Sequence, residues 1–576
     1  MKKYTIHIGL CYLLLLFASC DDYLDVEPES TLAIDNFYSN TVEAEIALSG
    51  IYSVFASNEV YGSAMSIIMD SGTDEGYYNR RFNENWTVGL YRHTTADDFV
   101  NDLWSSLYTA INLCNLFEEQ LQRDSFEEGE YNRLLSEALF LRAHAYSLLV
   151  TWYEEVPMPL TSTKDQSANS LAPSSLEELY AQIIEDFTFA SEHLASVDDP
   201  NYIQGRASKM AAHGLMARVY LKMAGYPLKD TSKYALAKEQ CAIIIASGQY
   251  GLNPSSSSIV TDPISGEEKI VVTTDGYRNH FLSYIQGSYD LRESIFEVSF
   301  RYLRDSGLIV DGRIGETNGI PYGFGGGTLG FPTAFGGFST TAILRDSYLA
   351  NNDSIRRVWN IPGYDYSGSG DIRSVTSALS RSFVPGKYRR WEPLDFADVD
   401  PSVQPAPGSQ EPTVILENGT IARNFTNINF PVLRYADILL MFAEADNAIS
   451  GSPSTLAIQY LDEVRSRAGL ASITTAKPSI INDGQAFFNE IVDERLRELC
   501  FEGLRKHDLI RWELLDDKLA LLNATIQGDP DFSATNADHQ AYLRPGLFFD
   551  PAIHLSLPYP LQEVIINDKL DQKDNW

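Results

Sequence analysis

Several side chains in this sequence have the types and spacings that chemistry uses. Asp437 and Glu444 lie seven apart in LRYADILLMFAEADNAI (433–449), so a helix there puts both carboxylates on one face. Paired carboxylates carry out glycoside hydrolysis, but two on one helix do not bracket a bond from opposite sides. Hydrogen bonding and ion pairing in helix packing, with Arg434 as a candidate partner, is the expected role. His507-Asp508 suggests a dyad, yet adjacent helical residues point about 100° apart. In DERLRELCFEGLRKHDLIRW (493–512), Glu494, Glu498 and Glu502 sit with Arg495, Arg497 and Arg505 at spacings that pair across helical turns. GGGTLG (325–330) follows no expected strand and opens no helix, so it is no dinucleotide signal. The nine histidines include no H-E-x-x-H, and there is no G-x-S-x-G. No catalytic residues, metal ligands or cofactor are expected, and whether calcium orders the 70–76 loop is left open.

Two stretches suit binding instead. DSGTDEGYYNRRFNENWTVGLYR (70–92) crowds Tyr77, Tyr78, Phe82, Trp86 and Tyr91 among Asp70, Asp74, Glu75, Asn79, Arg80 and Arg81. Sugars offer flat CH faces for aromatic stacking and a rim of hydroxyls for Asp, Asn and Arg. The second runs from DGYRNHFLSYIQGSYD (275–290) to NGIPYGFGGGTLGFPTAFGGF (318–338), where glycines separate Tyr322, Phe324, Phe331, Phe335 and Phe338. The candidate ligand contacts are Asp74, Tyr77, Tyr78, Arg81, Trp86, Tyr91, Tyr289, Tyr322 and Phe324. A loop folding back on its own aromatics is the alternative for each.

The elements that must hold these loops are mostly helical. Apolar residues at three- and four-residue steps predict helices over 97–121, 131–153 and 175–195. Helix pairs follow at 206–227 with 232–250, and at 433–449 with 454–470; helical pattern continues through 487–515. Small residues Ala211, Ala212, Gly214, Ala217 and Ala237 permit the close contact of tetratricopeptide-like hairpins. Residues 251–430 are rich in Gly, Pro, Ser, Asn and Tyr, with strand-like pieces at 270–274 and 294–300. The expected fold is mainly α. A helical scaffold (30–250 and 431–530) carries a large loop-rich insertion (251–430) with minor β structure.

The chain starts MKKYTIHIGLCYLLLLFASC: two lysines, a short apolar run, then Phe17-Ala18-Ser19-Cys20. That layout is a secretory signal, and its end resembles a bacterial lipobox, cut before a cysteine that is then acylated. Residues 1–19 are read as a signal peptide, 20–576 as one domain, and Cys20 as the lipidation site. About three acyl chains would hold firmly, since each buried CH₂ adds about 0.8 kcal/mol. Asp21 and Asp22 resemble an export signal for the surface of Bacteroidetes-type cells. The net charge of −34 argues against nucleic acid or an anionic membrane surface as partner. Of five cysteines, Cys114, Cys241 and Cys500 remain after Cys11 and Cys20, scattered inside helical patterns as buried thiols.

The whole chain resembles the SusD/RagB family of outer-membrane nutrient-binding lipoproteins. The resemblance is carried by SCDDYLD, SEALFLRAHAYSLLVTWYEEVPMPL (136–160), RASKMAAHGLMARVYLKMAG (206–225), NFPVLRYADILLMFAEA (429–445), DERLRELCFEGLRKHDLIRW (493–512) and LSLPYPLQEVIINDKLDQKDNW (555–576). The sequence departs at YEEVPMP, where the family usually shows YGDVP-like residues; a surface change is expected. The resemblance implies a SusD-like fold and a lipid-anchored outer-membrane protein facing the exterior. It implies capture of oligosaccharide, or alternatively peptide or another nutrient, and delivery to a SusC-like TonB-dependent transporter. It implies no enzyme activity.

Overall fold

The computed structural model describes residues 38–79, 87–165, 170–200, 202–261, 268–302, 309–310, 312–321, 334–367, 372–393, 413–419, 422 and 424–576. Cys20 and the signal segment lie outside the described residues, as does GGGTLG.

Helix follows helix in a stack. α1 (Thr41–Phe55) packs on α2 (Asp98–Gln120), α2 on α3 (Glu128–Tyr153), α3 on α4 (Leu176–His193), and α4 on α5 (Lys209–Ala224). α5 pairs with α6 (Lys233–Ser247). Amphipathic spacing drives this packing: Val100, Leu103, Leu107, Ile111 and Cys114 form one buried stripe of α2. Starts and stops are written locally. Ser175 and Glu178 form a reciprocal capping box on α4, and Gly248 ends α6 in the left-handed conformation.

The stack then jumps the 251–430 stretch. α6 packs against α10 (Tyr435–Ser450), which pairs with α11 (Thr455–Arg467) and with α12 (Gly484–Leu499). Among the described intervening residues there are three short helices, α7 (Gly276–Ile285), α8 (Ala342–Ala350) and α9 (Ser354–Asn360), and short antiparallel strand pairs. β1 (Gly76–Tyr78) pairs with β3 (Phe338–Thr340), and β2 (Ser294–Val298) with β4 (Phe430–Arg434). Gly214 shows why small residues line α5: a Cβ there would sit 2.3 Å from Leu433 Cδ2 of β4 and 3.1 Å from Ile438 Cδ1 of α10. Cys114, Cys241 and Cys500 are free and buried.

Two expectations need correction. The 487–515 pattern is not one helix. It breaks after α12 at Cys500 and resumes as α13 (Arg505–Arg511), because Phe501 (φ 64°) and Gly503 (φ 75°) turn left-handed. Helix also continues past residue 530, in α15 (Ala537–Phe548), which packs on α14 (Leu515–Gln527).

Except for the half-exposed Asp493, the charges of α12 are buried and pair mainly between elements. Glu494–Arg497 is an along-helix pair at 2.6 Å, but Glu498 binds Arg434 at 2.6 Å, Arg356 at 3.0 Å and also Arg467. Glu502 binds Arg434 and Lys387, and Glu293 binds Arg467. These partners stand on β4, α9, α11 and the loops between them, so the network ties the insertion to the scaffold. Arg434 therefore serves Glu498 and Glu502 and is not the partner of Asp437, which takes Arg218 and Arg495, both at 2.6 Å. Glu444 holds Arg511 and accepts a hydrogen bond from Trp512 Nε1. Asp508 turns to Arg495 and Arg511 while the His507 ring meets the edge of Trp152. The Asp437/Glu444 pair and the His-Asp neighbours are packing groups.

The YEEVPMP departure is more than a surface change. Glu154 caps α3 at φ 57° and ψ −119°, a conformation that glycine adopts without penalty and that costs other residues about 1–3 kcal/mol. Glu154→Gly is expected to raise stability by about 1 kcal/mol after glycine's greater unfolded-state freedom is subtracted, measured by denaturant titration.

Candidate ligand-binding site

The 70–79 stretch is built by a clamp between distant parts of the chain. The left-handed turn at 501–503 directs backbone amides outward. Phe501 N–H donates to Glu75 at 2.6 Å and Gly503 N–H to Asp70 at 2.7 Å. Arg505 closes the clamp with two hydrogen bonds to the Asp74 carboxylate, at 2.7 and 2.8 Å. Burial pushes the Asp70 carboxyl up to about 7, and burial together with neighbouring Asp70 raises Glu75. Burial alone would raise Asp74 too, but the Arg505 guanidinium overrides it and holds the group below its usual range. These acids face amides and a guanidinium. Among the described residues no group of three or more His, Cys, Asp or Glu is arranged to hold a metal.

The clamp sets the position of β1, and β1 sets that of the second stretch. Gly76, Tyr77 and Tyr78 register against Thr340, Ser339 and Phe338. Gly76 is required here, since a Cβ would fall 2.1 Å from the Phe338 ring. Asn79 extends the ribbon: its N–H donates to Gly337 O, and its side-chain amide reaches Gly336 O, Ser339 Oγ and Arg381 O. The two stretches nominated from sequence are thus side by side at 79 and 337. A small aromatic cluster of Tyr364, Tyr366 and Trp391 packs with Ile320 and Ala334 beside the second stretch.

The nominated residues divide into three groups. Asp74, Tyr77, Tyr78 and Tyr91 are interior and correct the sequence reading. Tyr77 stacks on Tyr542 at 4.2 Å, Tyr91 donates its hydroxyl proton to Gly72 O at 2.7 Å, and Tyr78 is buried under β3. They fold the loop and offer a ligand no face, because each ring has more to bury within the chain than outside it. Arg81, Trp86, Tyr322 and Phe324 lie outside the described residues. Tyr289 is half-buried and lines a separate cavity of about 220 Å³ with Gly205, Arg206 and Ser299, to whose hydroxyl it is hydrogen-bonded at 2.8 Å. Gly205 (φ 86°) admits that ring, as a Cβ would lie 2.5 Å from the Tyr289 oxygen.

Sequence reasoning missed the 501–505 half of the clamp. The one signal was Gly503, a glycine four residues past Leu499, the last helical leucine of α12. It also missed a cleft of about 450 Å³ between α2 and α16 (Leu561–Ile566), lined by Trp104, Tyr108, Asn112, Asn115 and Glu563. Much of its polarity is already used: Tyr108 donates to Pro157 O, and Asn115 to Pro159 O and Thr161 O.

Among the described residues no helix is long and apolar enough to cross a membrane. Comparison with known proteins is consistent along the chain. Residues 413–576 match the SusD family, and residues 22–221 match a family described as starch-binding, associating with the outer membrane. A SusD-like protein of Formosa agariphila is 24% identical, with 98% of both chains covered; one of Bacteroides ovatus is 27% identical, with 97% of this chain and 95% of that one covered. A SusD homolog of Bacteroides thetaiotaomicron superposes with a TM-score of 0.78 at 24% identity, covering 94% of this chain and 98% of that one. A laminarin-binding SusD-like protein superposes with a TM-score of 0.63 at 20% identity, covering 94% and 100%. With a helical stack interrupted by a loop-rich insertion, and family matches at both ends, the chain belongs to the SusD/RagB family.

Proposed function

We propose that this protein captures glycan at the cell surface and passes it to a TonB-dependent outer-membrane transporter, while acyl chains on Cys20 hold it to the outer membrane. The observation that carries the reading is the ribbon of β1 and β3, which sets two stretches rich in aromatic and polar side chains beside each other on a buried clamp. The starch-binding description of the matching family and the laminarin-binding neighbour support glycan as the ligand class. With Tyr77, Tyr78 and Tyr91 inside, the contacts fall to Arg81, Trp86, Tyr322 and Phe324. Each stacked ring adds roughly 0.5–1.5 kcal/mol beyond area burial, so a few give micromolar to millimolar affinity. Weak capture suits a carrier that must release its cargo, and the reading includes no turnover.

The chain's net charge of −34 favours one other ligand class, cationic peptide. Affinity electrophoresis and calorimetry against laminarin, starch and a panel of cationic peptides separate the two. Glycan is expected to bind, and Trp86→Ala to weaken it about tenfold with the melting temperature unchanged. Preference for peptide, or glycan binding unaltered by both Trp86→Ala and Tyr322→Ala, defeats the proposal.

A further inference from the structure

A third, unassigned cavity lies inside the helical stack. It has a volume of about 100 Å³ and is lined by His144 of α3, Tyr180 of α4, Arg218 and Lys222 of α5, and His507 of α13. That is several times the roughly 10–15 Å³ one water needs.

The lining is mostly apolar, but several polar ends in it are unmatched. Tyr180 OH, Arg218 Nε, His144 Nδ1 and both ring nitrogens of His507 are buried without a hydrogen-bond partner among the described residues. Tyr61 OH sits 3.1 Å from His144 Nε2; with Tyr61 as donor, His144 carries its proton on Nδ1 and is a donor too. Lys222 is 9% exposed and makes no ion pair among the described residues. Buried donors left unmatched cost about 1–3 kcal/mol each, and a lone buried cation costs more.

Lys222, Arg218, Arg495 and Arg511 stand near Asp437, Asp508 and Glu444, and the three arginines account for all three carboxylates. Outside the lining, Glu154, Asp70 and Lys506 add two negative charges and one positive. Lys222 is the one lining cation with no direct carboxylate partner among the described residues.

We propose that this cavity binds one small oxyanion of phosphate or sulfate size. Lys222 supplies the counter-charge, and Tyr180 OH and Arg218 Nε–H donate hydrogen bonds to it. Met69, Gly503 and Leu504 also line the cavity, so the ion rests against the turn that holds Asp70. Its occupancy would brace the clamp from behind.

Equilibrium dialysis of the full chain with radiolabelled phosphate, and separately sulfate, tests this at constant ionic strength. One ion per chain with saturation is expected, weakened at least tenfold in both Lys222→Met and Tyr180→Phe and unchanged in Lys229→Met, an exposed control. Should Lys222→Met fail to fold, Tyr180→Phe decides alone, since it removes one hydroxyl and no volume. Absence of saturable uptake by the wild type, or uptake untouched by the cavity variants, overturns the proposal. Glycan binding plays no part in the measurement, so the two proposals fail separately.

Discussion

Glu498→Gln should be among the most damaging single changes in this protein, lowering stability by about 3–5 kcal/mol. Glu498 is fully buried, and its carboxylate meets Arg356, Arg434 and Arg467. Those three guanidiniums hold its pKa far below the usual carboxylate range against the opposing effect of burial. Glutamine keeps the shape and removes the charge, stranding cations in a low-dielectric interior. Since Arg356 stands inside the insertion and Arg434 just past its end, limited proteolysis should cut within 251–430 before it cuts the helical stack. The control is Glu513→Gln. Its pairing with Lys229 is 57% and 53% exposed, and such pairs contribute about 0–1 kcal/mol. Equal denaturation midpoints for the two variants would remove the argument that the buried network holds the insertion in place.

Asp74→Asn is expected to cost about 3 kcal/mol, because it breaks a bidentate pair and leaves Arg505 buried without its anion. The measurement separates two roles for the residue. A ligand contact would lose affinity and keep its melting temperature. A clamp residue loses both, with the melting temperature falling in the absence of any ligand. The double variant Asp74→Leu/Arg505→Met should recover much of the stability, as it removes the stranded charge along with its partner. Stability unchanged in Asp74→Asn would return the residue to the ligand side.

What sequence could convey followed from periodicity. The stripe of α2 and the small residues around Gly214 are local statements, and each became the element expected. Composition also marked 251–430 as different and nominated two stretches that fold against each other. It could not tell an aromatic that faces outward from one that folds its own loop. Tyr77 and Tyr542 are far apart in sequence, and only the tertiary contact turns Tyr77 inward. The charged run at 493–512 failed for the same reason. Its spacings fit along-helix pairs, but full burial and arginines from distant segments dominate. Phe501 gave no warning at all, since nothing local marks a phenylalanine for a left-handed turn.

The bonds from Gly503 to Asp70 and from Phe501 to Glu75 join residues 433 and 426 positions apart. A chain emerging from the ribosome amino end first exposes its candidate recognition segment early, and must wait for nearly its whole length before that segment has anything to hold it. Premature termination upstream of residue 500 would therefore leave long stretches of correctly coiled helix and an unformed clamp. For the cell-surface location proposed above, late completion is an advantage, because nothing can dock on the segment until transit is over.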